Sequence, residues 1–205
     1  MKSIDLEKSI VVTSTELFLT LGFKSVTMDD IAEEMKISKK TIYAFFANKE
    51  ALVQSVVFSM YSYITTNLAQ IREKANNPIS ELYEVKMFIM NQLKGEKTSP
   101  HHQLRKYYPN IHSELQKKQF DFMTKSVKKS LKKGVDMNLF RSSIDIDFIS
   151  RMYFNGMVGI KNVDMFPTEK YSPELLMENY LDYHLRAIVT EAGMSLLSSY
   201  IKTKS

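Results

Sequence analysis

Six Gly and five Pro in 205 residues leave few of the turn positions that a sheet requires. Breaks fall at Gly22, Pro78, Gly95 with Pro100, Pro109, Gly134, Pro167 with Pro173, and Gly193. Between these points the apolar residues recur at helical spacing, and no segment alternates as a half-buried strand would. An all-α chain is predicted, with no internal repeat and no low-complexity segment. Its length allows one large domain or two small ones with a sizeable core. Hydrophobic residues at 44% and charged residues at 25% are ordinary for a soluble globular protein. The absence of Cys excludes disulfides and thiolate metal sites, and it fits a reducing, cytoplasmic location. No apolar run is long enough to cross a bilayer. The stretch "SIVVTSTELFLTLGF" is interrupted by Glu16 and several Ser and Thr, and no small-residue cleavage site follows it, so it reads as a helix rather than a signal core.

The first helix is expected from about Ile4 to Leu21, with Leu6, Ile10, Thr13, Leu17 and Leu21 on one face and Gly22 as its left-handed cap. A second begins at Thr27, where "TMDD" places Asp30 at the third position of a capping-box variant. Ile31, Ala32 and Met35 form its buried face. A third starts at Ser38 and extends to about Phe46, with Ile37 and Ile42 spaced as a hydrophobic staple. Asn48 caps a long fourth helix that can run to about Asn77, with Met60, Ile64, Leu68 and Ile71 inward. Further helices are expected from Pro78, near His101–Tyr107, from about Asn110 to Lys133, over Asp145–Val163 and over Ser172–Ala192. The tail after Gly193 carries no clear pattern.

Three short helices before a long one, with a three-residue turn between the second and third, follow helix-turn-helix grammar. In that motif the third helix enters the major groove. Net charge is +5, but its placement says more: residues 1–50 hold seven Lys and eight acids, so the motif is not basic overall. Its cations are concentrated where helices begin. Ser38, Lys39, Lys40 and Thr41 stand at the positive end of the third helix, and Lys49 opens the fourth, all positions suited to phosphate oxygens. Tyr43, Ala44 and Phe45 offer apolar surface to sugars and thymine methyls, while Ile42 and Phe46 point into the core. Thr27 caps its helix and has an amide to offer a phosphate.

The stretch "STELFLTLGFKSVTMDDIAEEMKISKKTIYAFFANKEALV" closely resembles the N-terminal DNA-binding domain of the TetR family of bacterial regulators. The shared features are "LF…GF…VTMDDIAEEM", "ISKKTIY", Phe46 and "NKEAL", over about 45 residues with spacing intact. Two positions depart from the family pattern. Lys36 stands where Gly or Ala is usual before "ISK", which makes the turn less permissive. Lys40 replaces a common Gly in the recognition helix, which favours backbone affinity over base discrimination. The resemblance implies an all-α protein with a helix-turn-helix domain at residues 1–50 and a helical effector-binding and dimerisation domain at 51–205. It implies a homodimer on a palindromic double-stranded DNA operator, and a small effector whose binding releases the repressor.

The later residues are consistent with such a domain. Gly156 and Gly159 share a face in "RMYFNGMVGIKN", so a partner helix can approach closely. Leu176, Tyr180, Tyr183 and Ala187 form a stripe on the last long helix, and Leu181, His184 and Ile188 form another, as a subunit interface needs. Candidates to line a pocket for an apolar or amphipathic effector are Tyr61, Met87, Met90, Phe120, Met123, Met152, Tyr153 and Met157, although for any single one of them ordinary helical core is the better reading. The run "KKSLKKG" reads as a solvated helix end. His101 and His102 read as surface histidines, since no further ligand lies at metal spacing. No phosphate loop, nucleophile elbow or paired-His helix is present in the sequence, so neither an enzyme nor a cofactor is expected. The alternative function is an all-helical small-molecule binding protein that no longer reads DNA; the cations at 39, 40 and 49 argue against it.

Overall fold

The computed structural model describes residues 3–93 and 100–202, and these are helical throughout apart from turns and one isolated bridge. The helices are α1 (Ser3–Leu21), α2 (Met28–Glu34), α3 (Lys39–Tyr43), α4 (Lys49–Lys74), α5 (Pro78–Leu93), α6 (Pro100–Tyr107), α7 (Pro109–Asp136), α8 (Ile146–Gly159), α9 (Pro173–Ile188) and α10 (Glu191–Lys202). The break expected at Gly95 lies outside the described residues, as does the side chain of His101. No helix is long and apolar enough to cross a membrane among the described residues.

Two compact units are present: Met1–Thr66 with Leu93–Lys118, and Asn67–Gln92 with Gln119–Ser205. The first unit takes in more of the chain than residues 1–50. Its core is Ile10, Phe18, Phe23, Ile31, Ile42, Phe46, Leu52, Val53 and Val56, joined by Leu104, Ile111 and Leu115. The inward line of α1 is Ile10, Ser14 and Phe18, all buried, whereas Leu21 is exposed. The apolar stripe chosen from sequence was rotated because Ser14 occupies a core position that hydropathy alone would reject. Gly22 ends α1 at φ +92°, and its amide donates to the Phe18 carbonyl at 2.9 Å. That left-handed cap is the conformation glycine adopts without steric cost.

In the second unit, Tyr83, Leu131, Phe140, Leu181, Leu185 and Ile188 are fully buried. The helix expected over Ser172–Ala192 is divided in two. Val189 is extended and bridges Phe140, the Arg141 amide donates to the Ile188 carbonyl at 2.9 Å, and the Thr190 amide to Leu139 at 3.0 Å. Thr190 then caps α10 by accepting from the Gly193 amide at 3.1 Å. These backbone partners lie some fifty residues away in sequence, so local periodicity could not reveal them. Likewise α8 stops at Gly159 rather than Val163, because the Lys161 and Asn162 amides turn back onto Val158 and Gly159.

Candidate nucleic-acid interface

The motif is held by local bonds that its residue types dictate. Thr27 is extended at φ −104°, ψ 169°, and its hydroxyl accepts from the Asp30 amide at 3.2 Å. The Asp30 carboxylate accepts in return from the Thr27 amide at 2.7 Å and from its hydroxyl at 2.9 Å. This closed capping box holds the Asp30 carboxyl below its ordinary value, chiefly through the backbone bond from Thr27. It also occupies the amide that the sequence offered to a phosphate, so Thr27 acts by fixing the entry of α2.

The turn after α2 is a Schellman motif. The Lys36 amide donates to Glu33 at 3.0 Å and the Ile37 amide to Ala32 at 3.0 Å. Lys36 sits in the left-handed region at φ +54°, where a side chain is disfavoured. Ser38 then caps α3: its Oγ accepts from the Thr41 amide at 3.1 Å and lies 2.8 Å from the Thr41 hydroxyl. The helix is five residues long and ends at Tyr43, not Phe46. The Phe45 and Phe46 amides both return to the Ile42 carbonyl at 3.0 Å, which curls the chain out of helix.

This turn divides the side chains. Ile42 and Phe46 are buried, as expected, and Phe45 is half-buried against the same core rather than fully presented. Ser38, Lys39, Lys40, Tyr43 and Ala44 are exposed, and Thr41 is half-exposed. Lys39 is paired with Asp29 at 2.7 Å, and that contact raises its pKa. Lys40 is exposed and forms no ion pair among the described residues. Lys49 turns onto its own unit. Its Nζ donates to the Lys24 carbonyl at 3.2 Å and lies 6.0 Å from the Phe18 ring centroid. Burial lowers its pKa, opposed by the Asp30 charge. Nothing local in the sequence marks the Lys49 engagement, whereas the adjacent acids of "DD" were a cue for that of Lys39.

A family model for bacterial regulatory proteins of the tetR family matches residues 10–56, the span just described. Over those residues the chain matches the tetR family. The YuxN HTH-type transcriptional regulator of Bacillus subtilis is 36% identical over 99 residues, covering 43% of this chain and 34% of that protein. IcaR of Staphylococcus aureus, a negative transcriptional regulator of the icaADBC biofilm operon, is 27% identical over 79 residues, 38% of this chain and 42% of its own length. The match thus spans about a third of YuxN and less than half of IcaR. A TetR-family regulator from Cytophaga hutchinsonii superposes with a TM-score of 0.73 at 19% identity, covering 93% of this chain and 98% of that one, which establishes the fold.

Outside the matched residues 10–56, the residues expected to line a pocket or an interface are more dispersed. Tyr61 belongs to the first unit, where its hydroxyl donates to the Lys118 carbonyl at 2.9 Å. In the second unit Met90 and Tyr153 are buried, Phe120, Met123 and Met157 half-buried, and Met87 and Met152 exposed. Phe120 meets Phe154 edge-on at 5.2 Å. None of the eight lines either of the two best-formed clefts, of about 270 and 180 Å³, both of which lie in the first unit. The Met and aromatic side chains that suggested a pocket also make ordinary core, and much of this set is packed or solvent-facing.

The glycine pair also separates. A Cβ on Gly156 would stand 2.3 Å from the Tyr180 ring, while Gly159 has nothing within 4 Å. Tyr180 donates its hydroxyl to the carbonyls of Met152 at 3.2 Å and Tyr153 at 3.0 Å. Gly156 and Tyr180 therefore join α8 to α9 within one chain. Tyr183, 73% exposed, and Ala187 are on the outer face, now aligned with Leu175 and Asn179; Leu176 is half-buried. On α8 the outer face carries Phe148, Met152 and Val158. His184 is buried against Tyr153 and Tyr180, and burial lowers its pKa to about 4.

Proposed function

We propose that the protein is a ligand-responsive transcriptional repressor that binds a palindromic operator as a homodimer and leaves it when a small effector binds. The observation that carries this reading is the capped turn and α3, which present Ser38, Lys39, Lys40, Thr41, Tyr43 and Ala44 together outward. Cations and hydroxyls at such a helix suit phosphate contact, and the Tyr43 ring with the Ala44 methyl suits base edges. Residues 1–50 are the reading domain and the remainder serves effector and dimer. The repressor assignment is supported by the likeness to IcaR, named as a negative regulator. The exposed Phe148, Met152, Val158, Leu175 and Tyr183 support a covered face on α8 and α9, since five large apolar side chains on two contacting helices form a costly solvent surface.

A titration of DNA from the chain's own upstream region, followed by fluorescence anisotropy, tests the reading. Preferential binding to an inverted repeat, with half-sites about one helical turn apart, is expected. Equal affinity for scrambled DNA would refute it. Thr41 or Tyr43 variants should change which sequence is preferred.

A further inference from the structure

The interior of the second unit holds charge that none of these roles uses. Arg72 near the end of α4 and Glu81 in the first turn of α5 expose only 15% and 4% of their side chains. The Arg72 Nε donates to Glu81 Oε1 at 3.2 Å, and the Ser130 hydroxyl of α7 donates to the same oxygen. Lys133, three residues on, donates to the Ala75 carbonyl at 2.9 Å and acts on the Glu81 charge. The remaining titratable neighbour, Tyr153, is buried, with its pKa pushed up to about 12, so it stays neutral. Two cations thus share one carboxylate, a surplus of one positive charge. The Arg72 Nη1 is buried with no hydrogen-bond acceptor. An orphaned donor of this kind is costly in a folded protein and calls for a partner. Apolar surface adjoins it: the guanidinium lies 5.4 Å from the Phe122 ring centroid.

We propose that this cluster binds a monocarboxylate carried on an apolar body, with the carboxylate accepting from Arg72 Nη1 and its single charge balancing the surplus. The inference rests on the reading of this unit as the effector domain, and it supplies the effector's chemical class. A dianion would overshoot the balance, and a neutral acceptor would fill the hydrogen bond but leave the charge.

The full-length protein is titrated by calorimetry with octanoate and benzoate, each against its alcohol, octanol or benzyl alcohol. Each acid should bind at least about tenfold more tightly than its alcohol, and saturating acid should raise Tm. Arg72→Gln should abolish the preference. Lys133→Gln, at a half-buried position, provides a second variant should Arg72→Gln fail to fold; it should weaken acid binding and leave alcohol binding unchanged. The proposal is overturned if acid and alcohol bind alike, if neither acid shows binding at about 10 mM, or if the folded variants bind acid as the parent does. Operator affinity is measured in parallel. Protein that binds operator yet ignores the acids overturns this inference alone, whereas protein that binds no operator overturns the regulatory reading and leaves the titration to judge the site.

Discussion

Replacing Gly156 and Gly159 separately by Ala distinguishes packing within the chain from packing against a partner. At Gly156 the new methyl would lie 2.3 Å from Tyr180 Cε2 and 2.4 Å from both Cζ and the hydroxyl oxygen. The ring cannot simply swing aside, since its hydroxyl is anchored to two carbonyls and its face adjoins Tyr153 and His184 at 5.7 and 6.1 Å. Overpacking costs about 1–3 kcal/mol, and each lost hydroxyl bond about 1 kcal/mol. The helix propensity of Ala returns about 0.9 kcal/mol. A net destabilisation of about 2–3 kcal/mol follows, which lowers Tm by about 5–10 °C for a chain of this size. At Gly159 nothing stands within 4 Å, so Ala contributes only propensity and stabilises by up to about 1 kcal/mol. Urea and thermal unfolding by far-UV circular dichroism, at fixed protein concentration, read both effects, with sedimentation reporting self-association. The reasoning is refuted if the Gly156 variant is as stable as the parent, or if its loss appears only as weakened self-association.

Three further outcomes are expected. Lys36→Gly relieves a left-handed backbone at φ +54° and should stabilise the fold by about 0.5–1 kcal/mol after the greater freedom of unfolded Gly is counted, read as a higher urea midpoint. Asp29→Asn releases Lys39 from its 2.7 Å ion pair, so DNA affinity should rise at low salt and the salt slope should steepen by about one. Asp147 has its pKa lowered from 3.8 to about 2 by the hydrogen bond from Lys128 first and that from Arg151 second. Because the folded value is the lower one, its stabilisation is complete above about pH 4 and is lost as pH falls through about 2. Carboxyl NMR should place its midpoint there, and Asp147→Asn should flatten that limb of the pH–stability curve.

What the sequence revealed were features whose partners lie within four residues. The Thr27–Asp30 box, the Ser38 cap and the Gly22 terminus each follow from residue type and spacing, and each is present. The burial of Ile42 and Phe46 follows for the same reason. Features set by distant partners were hidden. The Val189–Phe140 bridge that divides α9 from α10, the Tyr180 ring that fills the space beside Gly156, and the Arg72–Glu81–Ser130 cluster each join different segments of the chain. Helical periodicity identifies a face but not what covers it. That is why the sequence could not show that Tyr180 of the same chain covers Gly156.

The same distinction bears on how the interface would engage DNA. Of the three cations assigned to phosphates, only Lys40 is uncommitted among the described residues; Lys39 holds Asp29, and Lys49 holds a carbonyl. Neither commitment is strong. The Lys39–Asp29 pair is exposed on both sides, a setting in which ion pairs contribute about 0–1 kcal/mol. A neutral carbonyl competes poorly with a phosphate oxygen for the Lys49 ammonium. Both lysines are therefore positioned by contacts that a phosphate can replace, which limits loose binding by the free protein without blocking the docked complex. Because those replacements would be indifferent to sequence, on the proposed reading discrimination would fall to Thr41, Tyr43 and Ala44. The short α3 favours that reading, since a helix ending at Tyr43 turns Phe45 toward the core and leaves these three residues outward.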